Sequence, residues 1–241
     1  MINARIGRRK IGTLVHKPAQ SITKYKNKIR NGLRSRILGY RVPTLGHNYE
    51  EHFHVEKNSV VLDVGANIGL FTLSVAKRAG LVVAIEPEPK NLSALHHNLR
   101  NLTNVVIMER AAWDRKGVLP LFLGLGSEGH SLIHDIEVNG KLTTQTDHLQ
   151  IEADTLDSMV LHELGILNIG FMKMDIEGAE IEALEGATET LKKTSKVVVA
   201  CYHERNGTKT AGAVTRKLTE MGFQTYVGYN DLVFGLRIAN H

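Results

Sequence analysis

From residue 59 onward the chain alternates between two hydrophobic periods. "SVVLDVG" (59–65) is a short apolar run, and "GLFTLSVAKRAG" (69–80) has a helical pattern closed by Gly80. "LVVAIEP" (81–87) is a second apolar run, stopped by proline. "KNLSALHHNLRNL" (90–102) places Leu92, Leu95, Leu99 and Leu102 on one helical face, and "NVVIMERAAW" (104–113) is a third apolar run. Few topologies satisfy this order. Continuous apolar strands joined by helix-length crossovers build an α/β fold with a doubly wound, mostly parallel sheet and helices on both faces. Its crossovers are right-handed, and a ligand is expected at the carboxyl ends of the strands.

Residues 117–154 break that rhythm with "VLPLFLG", "HSLIHDIEV" and "LQIEAD", separated by turns, and read as an antiparallel excursion inserted between the third and fourth core strands. The α/β pattern then resumes. A helix over "TLDSMVLHELG" precedes a strand "IGFMKMD", a helix "EGAEIEALEGATETLKK" and a strand "KVVVACYH". A last helix at about 209–221 leads into "FQTYVGYNDLVFGLR", which reads as a terminal β-hairpin turning near Tyr229, Asn230 and Asp231.

Charge divides the chain. Residues 1–49 carry 12 Lys/Arg and no acid, whereas residues 50–241 carry the other 18 Lys/Arg and all 25 acids, leaving the body at −7 against a total of +5. Within the first part Ile22, Tyr25, Ile29, Leu33 and Ile37 form one helical stripe, with Lys and Arg on the other faces. "GYRVPTLGH" (39–47) then reads as a linker. The expected organisation is a basic amphipathic helical arm at 1–45 and one domain at 46–241. Such an arm suits an anionic surface, either a membrane or nucleic acid, or packs on its own acidic body. No run approaches 18 consecutive apolar residues, and the start lacks the apolar core of a secretory signal, so the reading is a cytoplasmic protein without a transmembrane helix, with membrane-surface association through the arm as an extension. The single Cys201 excludes an internal disulfide.

The turn "DVGANIG" joins the first strand to the first helix. Its glycines suit close approach of a ligand, and Glu86, 21 residues after Gly65 at the end of the second strand, stands where an acid meets ribose hydroxyls. Two departures argue against NAD. The spacing is Gly65-x-x-x-Gly69 without a third glycine, and the carboxylate of Asp63 just before the turn would repel a pyrophosphate. That carboxylate suits a ligand bearing an ammonium or sulfonium, which S-adenosylmethionine has, together with a ribose and a carboxylate. As alternatives, Asp63 is a buried capping residue and Glu86 a solvated strand end. The expected cofactor set is Asp63 before the turn, Gly65, Ala66, Asn67 and Gly69 within it, Glu86 and Pro87 after the second strand, and Ala111 after the third.

"FMKMDIEGAE" (171–180) places Lys173, Asp175, Glu177 and Glu180 at the mouth of the core. Carboxylates in a first helical turn gain roughly 0.3–1 kcal/mol each from the macrodipole, which accounts for Glu177 and Glu180. Lys173 and Asp175, on or beside an apolar strand, call for a partner or a function.

Taken together, "VVLDVGANIGLFTL", "VVAIEPEPKN", "TLD" (155–157) and "MKMDIEGAE" resemble the FkbM-type S-adenosylmethionine-dependent methyltransferases over roughly residues 58–205. The Lys173-x-Asp175-x-Glu177-Gly178-x-Glu180 pattern carries the specific part of that resemblance. It implies a Rossmann-like sheet of seven strands and O-methylation of a sugar, glycan or other small-molecule hydroxyl. The arm matches no motif of the family. Asp175 is then the first candidate for acceptor positioning or general base, and Lys173 is expected to hold Asp175 ionised or to stabilise a developing alkoxide. Glu177 is expected to bind an acceptor hydroxyl. His203, at the end of the next strand, is the rival base, while His130 and Ser131 reach over the site as a lid. An ion-pair network among the four charged residues is the structural alternative. No His/Cys/Asp grouping has the spacing of a metal site, so none is assigned, with Mg²⁺ on two or three rim carboxylates, as in some O-methyltransferases, left as an alternative. Two other functions stay open: an RNA methyltransferase holding phosphates with the arm, and a non-catalytic protein docked on a membrane surface.

Overall fold

The computed structural model describes residues 49–122, 131–133, 135–138, 141–144, 148–205 and 207–238. The chain divides into two units, 1–48 and 49–241. The basic helical arm, the linker and His130 lie outside the described residues.

In chain order the second unit begins with β1 (Val60–Val64), α1 (Leu70–Val75), β2 (Leu81–Ile85), α2 (Pro89–Leu99) and β3 (Val105–Met108). The inserted region follows as β4 (Ala111–Ala112), β5 (Gly117–Phe122), β6 (Asp135–Val138), β7 (Lys141–Thr144) and β8 (His148–Asp154). A π-helical segment, Asp157–Glu163, leads to β9 (Phe171–Met174), α3 (Glu180–Glu185), α4 (Thr188–Lys192) and β10 (Lys196–Ala200). The chain then runs through β11 (Glu204–Arg205), β12 (Thr208–Lys209), α5 (Ala211–Glu220), β13 (Phe223–Val227) and β14 (Leu232–Arg237).

Seven strands form the main sheet in the order β13-β14-β10-β9-β1-β2-β3. The five from β10 to β3 are parallel, and β13–β14 is the antiparallel terminal hairpin. The expected α/β, doubly wound, Rossmann-like architecture is therefore the observed one. Strand order reverses beside β1, between β2 and β9, and the carboxyl ends of these strands open the crevice where such sheets hold ligands.

The apolar strands are buried on both faces, as a parallel sheet requires. Leu62, Val64, Val83 and Ile85 pack on one face with Ala183 and Leu184 of α3, Leu191 of α4, and Val214 and Leu218 of α5. Val61 and Val82 face the other way with Val75 of α1, and Ala84 packs there with Leu92, Leu95 and Leu99 of α2. Each fully buried side chain of this size contributes about 1.5–3 kcal/mol of apolar transfer. α2 starts cleanly because Glu88 caps it, accepting the Asn91 N–H at 2.6 Å, with Pro89 in its first turn.

Three expected helices are shorter or tighter than their patterns. α1 ends at Val75 rather than near Gly80, because the next carbonyls are taken by other partners. Asn104 Nδ2 donates to Ala76 O and Ala79 O, and Asn58 N donates to Arg78 O. The helix expected over residues 177–193 is broken at Gly186, where a Cβ would stand 2.0 Å from the carbonyl oxygen of Trp113. The segment after Thr155 winds as a π-helix, closed by Ile166 N donating to Val160 O. In the insertion β5 pairs antiparallel with β8, while β6 pairs with β7 and also meets β11 at Glu137–Glu204, which brings that hairpin to the rim of the main sheet.

Candidate active site

The turn after β1 is shaped by left-handed backbone at Gly65 (φ 76°), Asn67 (φ 52°) and Gly69 (φ 85°). Gly65 and Ala66 both donate to Ile85 O, which ties the turn to the end of β2. The two glycines are needed for a reason the sequence does not state. A Cβ on Gly65 would lie 1.9 Å from the carbonyl oxygen of Asp175, and one on Gly69 would lie 2.7 Å from Leu95. The space beside them is thus filled by protein. The Gly65 contact also sets this turn directly against the end of β9, where Asp175 N donates to Val64 O at 3.0 Å.

Asp63 does not face the turn. It is fully buried, and its Oδ2 accepts from Thr72 N at 3.1 Å and Thr72 Oγ1 at 2.6 Å. Its Oδ1 lies 3.1 Å from Lys173 Nζ. Asp63 is thus the inner anchor of α1 and the ion-pair partner of Lys173, whose charge also reaches Asp175 and helps to keep it ionised. The registers explain it: Asp63 and Lys173 are direct cross-strand partners in β1 and β9. Lys173 Nζ also donates to Gly65 O at 2.6 Å, so one buried cation braces the turn from beneath.

Glu86 is buried and bent over the same turn. Its carboxylate accepts from Asn67 N at 2.8 Å, Glu88 N at 3.1 Å and Asn91 Nδ2 at 3.2 Å. Burial raises its pKa, and these donors together with the charge of Lys173 only partly oppose that rise. Gly65, Asn67 and Pro87 keep some exposure around it. Ala66 and Gly69 are buried, packed toward α2. Ala111 departs from the expected cofactor set: it sits in β4 opposite Ala153 and packs with Leu121 and Ile151.

The sign of the Glu86 shift gives a pH prediction. A carboxylate raised above its ordinary 4.5 contributes its stability below that value and loses it as pH rises through the folded-state pKa. Glu86→Gln has no such loss. Thermal melts of the two proteins should therefore shift in favour of the variant as pH rises above 4.5, whatever hydrogen bonds Gln forfeits throughout.

Asp175 lies just past β9, and two tyrosines grip it. Tyr49 OH donates to Oδ2 at 2.5 Å and Tyr202 OH donates to Oδ1 at 2.8 Å. Burial pushes the Asp175 carboxyl up, but the charge of Lys173 and the Tyr49 hydrogen bond, helped by His203 and Tyr202, bring it below the usual carboxylate range. Both phenols are raised, by burial first and by Asp175 next. Removing one donor should move Asp175 back toward its ordinary value. Tyr202→Phe is expected to cost about 1 kcal/mol of stability and to raise the Asp175 pKa, which a carboxylate-resolved NMR titration would show.

Two residues further on, Glu177 takes a left-handed backbone (φ 57°) and turns its carboxylate to His203, with Oε2 2.6 Å from Nε2. His203, 3% exposed, has Nδ1 3.5 Å from Glu180 Oε1. Burial lowers the imidazole pKa, but the two glutamates outweigh it and carry the group up to about 10. Glu180 is fully buried, accepting from Gly178 N at 2.9 Å and Thr210 Oγ1 at 3.3 Å. It therefore does more than decorate a helix start. Ser131 Oγ donates to Glu177 O at 2.6 Å, so the inserted region does reach the cluster.

Of the expected acceptor-side residues, the structure brings Asp175, Glu177 and His203 together and places Lys173 beneath the turn, on Asp63. Sequence reasoning missed Tyr49, Tyr202 and the inner role of Glu180. Tyr202 stands next to His203 in "CYHER", but Tyr49 is 126 residues from Asp175 and carries no local signal.

Comparison with known proteins places the chain in a family. The model of the methyltransferase FkbM domain matches residues 63–225. The 31-O-demethyl-FK506 methyltransferase FkbM of Streptomyces tacrolimicus is 29% identical over 204 residues, 74% of this chain and 78% of that protein. The hexuronic acid methyltransferase AglP of Haloferax volcanii is 29% identical over 151 residues, 61% of this chain and 57% of that protein. The chain spans 12% and 58% of the lengths of two further curated relatives. Among solved structures, a methyltransferase FkbM from Methylobacillus flagellatus superposes with a TM-score of 0.55 at 19% identity, covering 78% of this chain and 48% of that one, a likeness of fold. With the matched region running from Asp63 of β1 into β13, the chain belongs to the FkbM methyltransferase family, whose methyl donor is S-adenosylmethionine.

Proposed function

We propose that the chain methylates a hydroxyl oxygen of a sugar or another small molecule. The observation that carries this reading is the backbone contact between Gly65 and Asp175, which sets the donor turn against a cluster of proton-handling side chains. Bound S-adenosylmethionine supplies a methyl group on a sulfonium. The Gly65–Asn67 turn and Glu86 suit holding it, because Glu86 already lies over the turn and its Oε2, which accepts from Asn67 N, has room for a further donor such as a ribose hydroxyl.

On the acceptor side Asp175 is held ionised and fixed by Tyr49 and Tyr202, so it can take a hydrogen bond from an incoming hydroxyl and align it. Its lowered pKa makes it a poor final proton acceptor, and the less buried Glu177, beside His203, is better placed to receive the proton. The family relatives favour oxygen as the acceptor: one is named for a 31-O-demethyl substrate and another for hexuronic acid. No described helix is long and apolar enough to cross a membrane.

The test is incubation of the protein with isotope-labelled S-adenosylmethionine and a panel of sugars, uronic acids and polyol metabolites, read by mass spectrometry. Label on an acceptor oxygen supports the reading. Label confined to nitrogen or to RNA would replace it.

A further inference from the structure

Asp175, Glu177 and His203 approach from three places: the end of β9, the left-handed turn before α3 and the segment after β10. Each brings one donor atom, and the three atoms lie within 4.8 Å of one another. We propose that these three side chains form a binding site for a divalent cation.

Three features go beyond a chance meeting of acids. First, His203 is buried to 3% exposure and aimed into the cluster, yet neither ring nitrogen has a hydrogen bond of good geometry. Nε2 sits 2.6 Å from Glu177 without the alignment a shared proton needs, whereas a cation accepts the nitrogen lone pair and the carboxylate from separate directions. Second, Glu180 lies behind the ring on the Nδ1 side and is itself held by Gly178 N and Thr210 Oγ1. A carboxylate behind a histidine is the arrangement that orients metal-binding imidazoles. Third, Asp175 is anchored by two phenols that each use one lone pair of its oxygens, leaving others for a ligand bond.

Among the described residues the nearby lysine and arginine are committed elsewhere. Lys173 is on Asp63 and Gly65 O, and Arg205 is on Glu182. A bound divalent cation would displace the proton that Glu177 and Glu180 hold on His203, and its double charge would balance the carboxylates of Asp175, Glu177 and Glu180. Two carboxylates and one imidazole are oxygen-rich and only mildly soft, which suits Mn²⁺ better than a thiolate-seeking metal. Three protein donors leave positions open. Resting on the proposed function, the cation would take an acceptor hydroxyl there and lower its pKa; with Glu177 then a ligand, the proton would pass to solvent, and the oxygen would attack the sulfonium methyl, forming the O–CH3 bond as the S–CH3 bond breaks and S-adenosylhomocysteine leaves.

The experiment titrates Mn²⁺ into the metal-free full-length chain and follows loss of the free-ion electron paramagnetic resonance signal. One equivalent should bind, and Glu177→Gln, at a quarter-exposed side chain, and His203→Asn should each weaken it about 10-fold or more. Thermal melts and titration with S-adenosylhomocysteine show whether each variant is folded. Absence of one-equivalent binding, or binding unchanged in folded Glu177→Gln, overturns the site. Methyl transfer that persists in chelator without Mn²⁺ binding removes the cation and leaves the proposed function standing. Mn²⁺ binding without transfer to any hydroxyl does the reverse.

Discussion

Lys173→Met is expected to destabilise the fold by about 3–5 kcal/mol, the cost of removing one partner from a buried ion pair. Lys173 is 4% exposed and its ammonium serves three groups, Asp63 at 3.1 Å, Gly65 O at 2.6 Å and Val64 O at 3.4 Å. Methionine fills the space but leaves the Asp63 carboxylate with only the two donors of Thr72. The damage should be local to the turn as well as global, because the same cation braces Gly65 from below. Asp63→Asn should also destabilise, and the double variant should recover part of the loss, since it leaves no lone charge inside. Urea denaturation of the four proteins measures this directly. Equal stability of Lys173→Met and the unchanged chain would show that the pair carries no structural energy.

This pairing marks where the sequence stops being informative. Side chains two apart on a strand share a face, so Lys173 and Asp175 look like partners on paper. The true partner comes from register. Asp63 stands opposite Lys173 only because Val61 pairs with Phe171, a match between segments more than a hundred residues apart. Features written in local periodicity were legible: the apolar strands, the Leu face of α2, the hairpin, the turn with its glycines and the acid after β2. So was the meeting of Glu177 and His203, since successive parallel strands deliver their carboxyl ends to one rim. Features set by distant packing were not. Tyr49, Glu180 acting from behind His203, the early end of α1 at Asn104 and the break at Gly186 against Trp113 all depend on contacts that no window of sequence contains.

Asp175→Asn is expected to leave the fold and the donor site intact while lowering methyl transfer by about 10²-fold or more. The side chain keeps its size. Both tyrosine hydroxyls accept as well as donate, so each can turn to meet an amide. Removing the charge relieves desolvation but forfeits the larger support that Lys173, Tyr49, His203 and Tyr202 give the ionised form, so a modest loss of stability is expected, while the pair that braces the turn, Lys173 with Asp63, is untouched. What is lost is the fixed anion that aligns the acceptor hydroxyl. The residue touches the turn through its backbone, at Gly65, and bonds Val64 O through its N–H, both of which asparagine preserves. The decisive measurement is therefore a paired one on Asp175→Asn: calorimetric affinity for S-adenosylhomocysteine beside the rate of transfer to a hydroxyl acceptor. The account predicts an affinity within about twofold of the unchanged protein and a rate lower by 10²-fold or more. Normal turnover in a folded, donor-binding variant would contradict it.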